Sequence, residues 1–489
     1  MILSKSQYIR ANQCLKSIWL CKKRPELREI QEEKESLFER GYDVGDLAKE
    51  LFPGGVEIEF DSNNFNEMIN KTKELIKSGE KIIYEAAFSE NGIFAMADIL
   101  VKNDDGYEMY EVKSSTCVKD YHIDDAGIQW YALSNAISLK KAYIIHINNE
   151  YERNGKLEIE KLFKIVDITD MVIEKQFLIP QKLQEINEIL SQDKEPQIPI
   201  GSHCFNPFEC DFIGYCWRDI PEFSVFNLYR MNFDKKMEFY NQGIIDLKDV
   251  DESKLNKTQQ IQVKTYKEKS VYIQKDKIEK FLSKLKYPIN FLDFETFMEA
   301  IPRFNKQKPY QHIPFQYSLH ILYADGKIQH KEFLANENED PREKLAKSLL
   351  NDLTDSGTIL AYNKNFEISV IKELAGFLPE LKDELLSLVD RFEDLINPFR
   401  NLGVYHYNFN GSFSIKSVLP ALFPNEKELD YKNLGLIQNG GDAMDIFAKL
   451  HLIKDKTKRD EIRKDLLAYC RLDTLAMVKI LERLEGFMK

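Results

Sequence analysis

Two widely separated regions of the chain place acidic side chains on apolar, strand-like segments. Asp98 lies in MADIL, Glu111 and Lys113 lie in YEVKS, and Asp293 and Glu295 lie together in INFLDFETF. Side chains two residues apart point to the same face of a strand, so Glu111 shares a face with Lys113, and Asp293 with Glu295. Carboxylates grouped in this way are typical ligands of divalent cations. The sequence therefore predicts an α/β fold with two strand-borne acidic sites.

Length and composition limit the class of protein. The 489 residues are 43% hydrophobic and 30% charged, too long for one ordinary core but apolar enough for two or three. The sequence has no run of about 18 apolar residues. Its start also lacks the basic-then-apolar design of a secretory signal, so we predict a cytoplasmic protein without a membrane partner. With a formal net charge of -12, a nucleic acid would have to be bound by local basic stretches.

Turn signals and apolar periodicity divide the chain into three regions. Residues 1–222 contain the strand patterns KIIYEAAF, GIFAMADILVK, YEMYEVKSS and KAYIIHIN with a helical pattern before the last, which predicts a small mixed sheet flanked by helices. Residues 223–286 are polar and helix-prone and are predicted to form a helical linker. Residues 287–489 begin a second α/β pattern, in which the strand patterns INFLDFET, FQYSLHILYA, IQHKEFL and TILAYN are followed or separated by helices.

The first acidic site combines carboxylates with a lysine. Twelve residues separate Asp98 from Glu111 and include an Asp-Asp-Gly turn signal, which predicts adjacent antiparallel strands. Glu111 can then hold a divalent cation while Lys113 orients the attacking water or the scissile phosphate. Asp98 is the predicted second metal ligand, and Glu85, one strand earlier, the third. By itself a Glu-x-Lys tripeptide is also common on the surface of strands.

The segments that surround these residues resemble those of a known protein family. Residues 41–147, through the segments RGYDVGDLAKELF, YEAAF, MADIL and YEVKSS and the helical Gln129, resemble the PD-(D/E)xK nucleases of the RecB type, including CRISPR-adaptation nucleases. The resemblance implies a restriction-endonuclease-like domain and adds Gln129 to the catalytic residues. Two positions depart from the family pattern: Ala97 stands where the motif has Pro, and Gly45 where many relatives have a metal-binding His. The second departure implies fewer protein ligands for the metal.

Four cysteines extend this resemblance. Cys204, Cys210 and Cys216 lie in GSHCFNPFECDFIGYCW, and Cys14 lies near the N-terminus. Nucleases of this group carry one cysteine before and three after the nuclease core, which implies a [4Fe-4S] cluster on these four thiolates. The five residues between Cys204 and Cys210 depart from the two that relatives commonly have. A structural Zn2+ on the same thiolates, or no bound group, remains an alternative, and Cys21 is an alternative to Cys14. The remaining cysteines, Cys117 and Cys470, are interpreted as packing residues.

The second acidic site draws on three segments. Asp293 and Glu295 on one strand face can ligate a pair of Mg2+ or Mn2+ ions about 4 Å apart. Glu367 follows at a strand-to-helix junction in ILAYNKNFEISVIKEL, and Tyr469 and Asp473 lie one turn apart on a later helix. The sequence predicts that these five side chains converge.

The order and spacing of these five residues resemble the DEDDy 3′-5′ exonucleases of the RNase H-like fold, over residues 288–481. The resemblance implies that the four acids hold two metal ions and that Tyr469 positions the water. Glu367 departs from the more usual Asp. Asp394 is predicted either to support the site or to be a surface carboxylate. Aromatic and basic residues in FRNLGVYHYNFNGSFSIKSVLP are predicted either to stack on and contact a strand end or to pack in the core.

Together these features resemble an uncharacterised family of bacterial and archaeal proteins that fuse an iron-sulfur RecB-type nuclease to a DEDDy-like exonuclease. The expected function is metal-dependent degradation or trimming of DNA with single-stranded ends, in repair, recombination or defence. The alternatives are an RNA-processing exoribonuclease, and a single-site exonuclease with a noncatalytic, nucleic-acid-binding N-terminal domain. The sequence contains no G-x-x-x-x-G-K-[ST] phosphate loop, so a helicase would be a separate partner.

Overall fold

The computed structural model describes residues 2–29 and 43–489, so the opening residues of RGYDVGDLAKELF, including Gly41, lie outside the described residues. The protein has a mixed α/β structure and divides into two compact units. The first contains Met1–Asp219 and Ala300–Tyr310, and the second contains Ile220–Glu299 and Gln311–Lys489. Within the described residues, every helix is too short or too polar to cross a membrane.

The first unit is built on a seven-stranded sheet. Its strands are β1 (Leu3–Ser4), β2 (Val56–Glu57), β3 (Ile82–Glu90), β4 (Ile93–Asn103), β5 (Gly106–Lys113), β6 (Leu139–Ile147) and β7 (Phe163–Asp167). The spatial order is β2-β3-β4-β5-β6-β7, with β1 beside β4. Strands β3, β4 and β5 are antiparallel neighbours, whereas β5 and β6 are parallel. This confirms the prediction that Asp98 and Glu111 lie on adjacent antiparallel strands.

Helices cover the sheet of the first unit. They are α1 (Lys5–Gln13), α2 (Leu15–Lys23), α3 (Phe65–Ser78), α4 (Asp120–Leu133), α5 (Ile159–Leu162), α6 (Thr169–Lys175), α7 (Ile179–Ser191) and α8 (Ile213–Cys216). Successive residues of one strand belong to different apolar clusters, since Ile144 packs in one and Ile145 in another. Both faces of β6 are therefore covered, which explains its nearly continuous apolar sequence.

A segment far along the chain completes the first unit. Ala300 and Tyr310 pack in the same apolar cluster as Ile145. The Lys306 amide donates to the Arg153 carbonyl at 2.7 Å, and the Tyr310 hydroxyl donates to the carbonyl of Ser114. Residues 300–310 lie between two strands of the second unit in sequence but belong to the first unit in structure.

The second unit contains a five-stranded sheet and a two-stranded ribbon. The sheet consists of β9 (Ile289–Phe297), β10 (Ile313–Leu322), β11 (Ile328–Leu334), β12 (Ile359–Ala361) and β13 (Phe392–Asp394), in the order β11-β10-β9-β12-β13. Strands β9, β10 and β11 pair antiparallel, and β12 runs parallel to both β9 and β13. The ribbon pairs β8 (Val271–Ile273) with β14 (Val404–His406). The predicted strands of this region are confirmed.

The helices of the second unit are α9 (Phe233–Asn241), α10 (Lys257–Glu268), α11 (Lys275–Leu282), α12 (Arg342–Asp352), α13 (Asn365–Phe377), α14 (Lys382–Ser387), α15 (Asn397–Arg400), α16 (Ile415–Leu422), α17 (Gly440–Leu450) and α18 (Lys456–Gly486). Leu292 and Phe294 of β9 pack in the cluster formed with α12 and α13. Helix α18 contacts β9 and β10 as well. Asp293 and Glu295 alternate with Leu292 and Phe294, so they point away from that apolar cluster.

The segment predicted as a helical linker, residues 223–286, contains three α-helices, three short 3-10 helices and one strand. It clusters with the second unit, and it has an apolar cluster of its own that includes Val225, Leu228 and Val263. Its strand β8 pairs with β14, which lies more than 120 residues later in the chain. This cluster is hard to detect in the sequence, because most residues of these helices are polar and only a few side chains of each helix face inward.

Candidate active sites

Three neighbouring strands and two helices assemble the first acidic site. Glu85, Asp98 and Glu111 come from β3, β4 and β5, and α4 contributes Gln129. Glu85 adopts a φ of 54°, a left-handed conformation that is uncommon for a residue with a Cβ. The strand pairing passes directly from Tyr84 to Ala86 at this position, so Glu85 is displaced from the regular ladder. Such local strain clusters at functional sites.

The carboxylate of Glu111 lies at the centre of a buried network of charges. It is 2% exposed, and its Oε1 atom accepts from Lys113 Nζ at 2.7 Å and from Lys5 Nζ at 2.8 Å. Its Oε2 atom accepts from Gln129 Nε2 at 2.6 Å. Asp125 of α4 forms ion pairs with both lysines. The structure thus brings Glu111, Lys113 and Gln129 together as predicted, and it adds Lys5 and Asp125, which sequence reasoning missed.

The three acids of this site differ in protonation. Burial, with a contribution from the Asp98 carboxylate, raises the pKa of Glu85 to about 8. Burial and the Glu111 carboxylate raise the pKa of Asp98 to about 7. Burial acts in the same direction on Glu111, but the ammonium groups of Lys113 and Lys5 outweigh it and hold the pKa of Glu111 well below its usual range. At neutral pH Glu111 is therefore ionised, and the lysines neutralise its charge. Glu85 and Asp98, in contrast, are each partly protonated.

The predicted cysteine ligands lie in a separate part of the first unit. Cys14, Cys204, Cys210 and Cys216 all line one cavity. Cys21 does not line it but packs in the adjoining apolar cluster with Trp19 and Phe212. Burial raises the pKa of Cys14 above its usual value and that of Cys216 to about 11, and the neighbouring cysteines add to both shifts.

The spacing of the four sulfur atoms bears on which group they fit. Four thiolates on one tetrahedral Zn2+ lie about 3.8 Å apart, given a Zn–S bond of about 2.3 Å. Among the described residues, no three of these sulfurs converge within 4.8 Å. The cavity that the four cysteines line has a volume of about 20 Å³, and four thiolates are also the donor set of a [4Fe-4S] cluster. The donor set suits a [4Fe-4S] cluster and a Zn2+ ion alike.

The second acidic site collects side chains from β9, α13 and α18. Ligand atoms of Asp293, Glu295 and Cys470 all lie within 4.8 Å of one another, and among the described residues they form the one such group of three. Cys470 Sγ is 3.8 Å from Asp293 Oδ2. The interpretation of Cys470 as a packing residue without company missed this contact, although its position three residues before Asp473 places both on one helix face.

A tyrosine that sequence reasoning missed joins the site. The Tyr431 hydroxyl donates to Asp473 Oδ1 at 2.5 Å, and its ring lies 5.9 Å from that of Tyr469. Hydrogen bonds from Tyr431 and Tyr469 lower the pKa of Asp473, but burial outweighs them and raises it to about 6. The structure thus places the predicted Tyr469 beside the predicted Asp473.

The second site is a buried cluster of mutually repelling carboxylates. Burial raises the pKa values of Asp293 and Glu295 well above the usual range, and the Asp473 and Glu367 carboxylates add to both shifts. Burial raises the pKa of Glu367 to about 8. Glu367 is 3% exposed, and its Oε2 atom has no hydrogen-bond partner among the described residues. Lys416 is the cation that acts on this cluster, since it lowers the pKa of both Glu295 and Asp473.

These observations fit divalent cations at the second site. A buried carboxylate oxygen without a hydrogen bond is costly unless another group satisfies it. Carboxylate oxygens are the ligands that Mg2+ and Mn2+ prefer, and two such ions would neutralise the repulsion among the four acids. The residues that could hold them are Asp293, Glu295, Glu367 and Asp473, with Cys470 as an additional soft ligand.

Asp394 supports the backbone beside this cluster. It is buried, and its Oδ1 atom accepts from the Asn363 amide at 2.8 Å and the Ile396 amide at 3.2 Å. The alternative that Asp394 is a surface carboxylate is therefore wrong. Among the aromatic residues of FRNLGVYHYNFNGSFSIKSVLP, Tyr405, Phe409 and Phe413 are buried, so these rings pack in the core.

Comparison with known proteins gives similarity without a described activity. A family model described as "Domain of unknown function (DUF2779)" matches residues 290–414, about a quarter of the chain. The chain is 26% identical over 223 residues to "Uncharacterized protein MG366 homolog" of Mycoplasma pneumoniae, which covers 42% of this chain and 33% of that protein. The chain thus spans about a third of the length of this relative. The matched family segment contains Asp293, Glu295, Glu367 and Asp394 of the second site.

Proposed function

We propose that this protein is a metal-dependent nuclease that degrades or trims DNA ends and that the second site is a 3′-5′ exonuclease centre. The observation that carries the proposal is the buried carboxylate cluster of Asp293, Glu295, Glu367 and Asp473. Its pKa values are raised, and Glu367 Oε2 has no hydrogen-bond partner in the described structure. A cluster of this kind is poised to exchange protons for cations. The central position of β9 in a mixed five-stranded sheet supports the RNase H-like fold that the motif resemblance implies.

Each residue of the second site has a role in this proposal. The four acids would hold two Mg2+ or Mn2+ ions, which lower the pKa of a bound water and stabilise the negative charge that develops on the scissile phosphate. Tyr469, beside Asp473, would orient the attacking water. Tyr431 fixes the Asp473 carboxylate through its hydrogen bond, and Asp394 fixes the chain where α13 begins. Lys416 would offset the charge of the acids.

The first site is proposed as a second, RecB-type nuclease centre in a restriction-endonuclease-like unit. Glu85, Asp98 and Glu111 would hold the metal. Lys113 would orient the attacking water or the scissile phosphate, and Gln129 would orient Glu111. The four cysteines would hold an iron-sulfur cluster that joins the N-terminal helices to the segment around α8. This cluster would serve the fold rather than the reaction.

One observation favours a second candidate, in which the first unit binds nucleic acid without cleaving it. Glu111 is already bonded by Lys5, Lys113 and Gln129, and the described residues of this site include no three ligand atoms within 4.8 Å. In that case the second site performs all cleavage.

An end-labelled cleavage assay tests both candidates. Single-stranded DNA labelled at either end is incubated with Mg2+ or Mn2+ and wild type, Lys113→Ala, Asp293→Ala or the double variant, with matched RNA in a parallel series. Two working sites give a distinct product ladder lost in each single variant and no cleavage in the double variant. Loss with Asp293→Ala alone establishes the noncatalytic first unit. Unchanged cleavage in the double variant contradicts the proposal, and faster cleavage of RNA would assign an exoribonuclease.

A further inference from the structure

A cavity in the second unit has a composition unlike that of the chain as a whole. Its volume is about 320 Å³, and its lining includes Arg230, Arg400, Tyr229, Tyr362, Asn363 and Phe413. Two arginines and no acidic residue are found among the described lining residues, although the formal net charge of the chain is -12. The cavity is therefore a local basic and aromatic region of the kind that a nucleic acid partner of this acidic protein would need.

Buried glutamines fix one side of this cavity. The Tyr229 amide donates to Gln262 Oε1 at 3.0 Å, and the Tyr229 carbonyl accepts from Gln259 Nε2 at 2.9 Å. Both glutamines are buried in helix α10. The next residue, Arg230, has a φ of 49°, and its guanidinium lies 5.3 Å from the centre of the Tyr229 ring. The structure thus holds Arg230 in an unfavourable backbone conformation, which is common where a side chain is positioned for binding.

The opposite side of the cavity adjoins the second acidic site. Arg400 Nη1 donates to Asn363 Oδ1 at 3.4 Å, and Asn363 has a φ of 70°. The Asn363 amide donates to Asp394, and Asn363 lies just before α13, whose first turn carries Glu367. A ligand in the cavity would therefore lie next to the backbone that presents a predicted metal ligand.

The chemistry of the lining indicates the ligand. Arginine side chains bind phosphate oxygens through paired N–H groups, and aromatic rings with arginine planes stack on bases regardless of sequence. The volume exceeds that of a phosphate ion and lies at the lower end of small-ligand sites, which suits one nucleotide. We propose that this cavity binds one nucleotide of single-stranded DNA, through its phosphate at Arg230 and Arg400, and so holds the strand beside the acid cluster. This inference rests on the proposed exonuclease function.

Binding measured without cleavage tests the cavity. The full-length Asp293→Asn protein is titrated into a fluorescently labelled oligothymidylate at several salt concentrations, with and without Arg230→Ala/Arg400→Ala. Loss of two phosphate contacts should weaken binding by about tenfold or more and reduce the slope of log affinity against log salt by roughly 1.4. The Lys454→Ala/Lys458→Ala variant removes the same charge from exposed residues outside the lining and should change affinity by less than about twofold.

A conservative variant guards against effects on folding. Arg230→Lys/Arg400→Lys keeps both charges, so it should keep the salt slope while losing part of the affinity that paired N–H groups provide. Equal binding by the alanine and control variants overturns the proposal, as does a loss confined to matched RNA or the absence of strand binding. Cleavage by wild-type protein is assayed separately. If the alanine variant binds DNA weakly but the wild-type protein does not cleave it, the nucleotide-binding cavity stands and the exonuclease proposal fails. If the wild-type protein cleaves DNA but the alanine variant binds as tightly as its control, the exonuclease proposal stands and the cavity proposal fails.

Discussion

The two acidic sites use the same residue types, but lysines of the chain contact the central carboxylate of the first site, whereas the second site is a cluster of acids. At the first site, two lysines contact Glu111 at 2.7 and 2.8 Å, and the pKa of that carboxyl is held low. At the second site, burial raises the pKa values of all four acids, other acids of the cluster add to the shifts of Asp293 and Glu295, and Lys416 lowers the pKa of Glu295 and Asp473. The central carboxylate of the first site, Glu111, is already neutralised by lysines of the chain, whereas the acids of the second site are neutralised by protons that cations can replace. Carboxylates on a strand face thus do not by themselves indicate how strongly a site will bind metal.

The largest expected difference between the sites concerns cleavage. Asp293→Asn should lower the rate of single-stranded DNA degradation by about 10³-fold, because it removes one metal ligand and its negative charge. Glu461→Gln makes the matched loss of charge at an exposed position and should leave the rate unchanged. The rate is measured with end-labelled DNA and Mg2+. An Asp293→Asn protein as active as Glu461→Gln would assign the cleavage to another site.

The next expected effect is on the stability of the first unit. Lys113→Met leaves Glu111 and Asp125 with less positive charge in a buried network, so it should lower the free energy of unfolding by about 3 kcal/mol. Lys141→Met breaks an exposed pair with Asp167 and should lower the stability far less, because solvent screens such a pair. All three tryptophans of the chain lie in the first unit, so tryptophan fluorescence during urea unfolding reports on that unit.

Addition of Mn2+ tests whether the first site binds a cation. If Glu111 and Asp98 bind a divalent cation, Mn2+ should reduce the difference in stability between Lys113→Met and wild type, and it should leave the difference between Lys141→Met and wild type unchanged. A loss of stability that Mn2+ leaves unchanged would identify the first site as a structural ion network.

The pH dependence should also differ in sign between Glu111 of the first site and the acids of the second site. Glu367 and Asp473 have pKa values of about 8 and about 6, above those of unfolded chains, so without metal they hold protons that the unfolded chain has lost. Their contribution to stability is present at acidic pH and falls as pH rises from about 4 to about 8. Glu111 has a lowered pKa, so its contribution is present above about pH 4 and is lost on acidification.

Calorimetry tests the raised pKa values of the second site through its binding of metal. Mg2+ binding at the second site should release protons and become tighter between about pH 6 and pH 8. Titration in two buffers with different ionisation heats counts these protons. An affinity that does not change with pH would contradict the assignment of raised pKa values to the metal ligands.

The smallest expected effect distinguishes the second site by its thiol. Cys470→Ser should weaken Cd2+ binding by about tenfold while changing Mg2+-supported cleavage by less than about threefold, because a thiolate favours soft metals and contributes little to Mg2+. Co2+ provides a direct readout, since a thiolate ligand gives an intense charge-transfer absorption that serine does not. The same absorption in wild type and Cys470→Ser would exclude the sulfur as a ligand.

The sequence predicted what periodicity and local chemistry determine. The strands that carry Asp98, Glu111, Asp293 and Glu295 are present, because alternation of apolar residues is a local signal. Contacts between distant segments were not predictable: Lys5 reaches Glu111 across 106 positions, and Tyr431 reaches Asp473 across 42. Cys470 lies three residues before Asp473 on the same helix, so helical spacing alone could have placed its thiol beside the acids.

The packing of residues 300–310 in the first unit affects how the chain can fold during synthesis. The first unit obtains Ala300 and Tyr310 from a segment that follows β9, the strand that carries Asp293 and Glu295. During synthesis the first unit therefore cannot bury its last apolar surface until part of the second has already emerged. A gene split between residues 219 and 220 would produce a first unit without this segment, so the two units are expected to be inherited and produced as one chain.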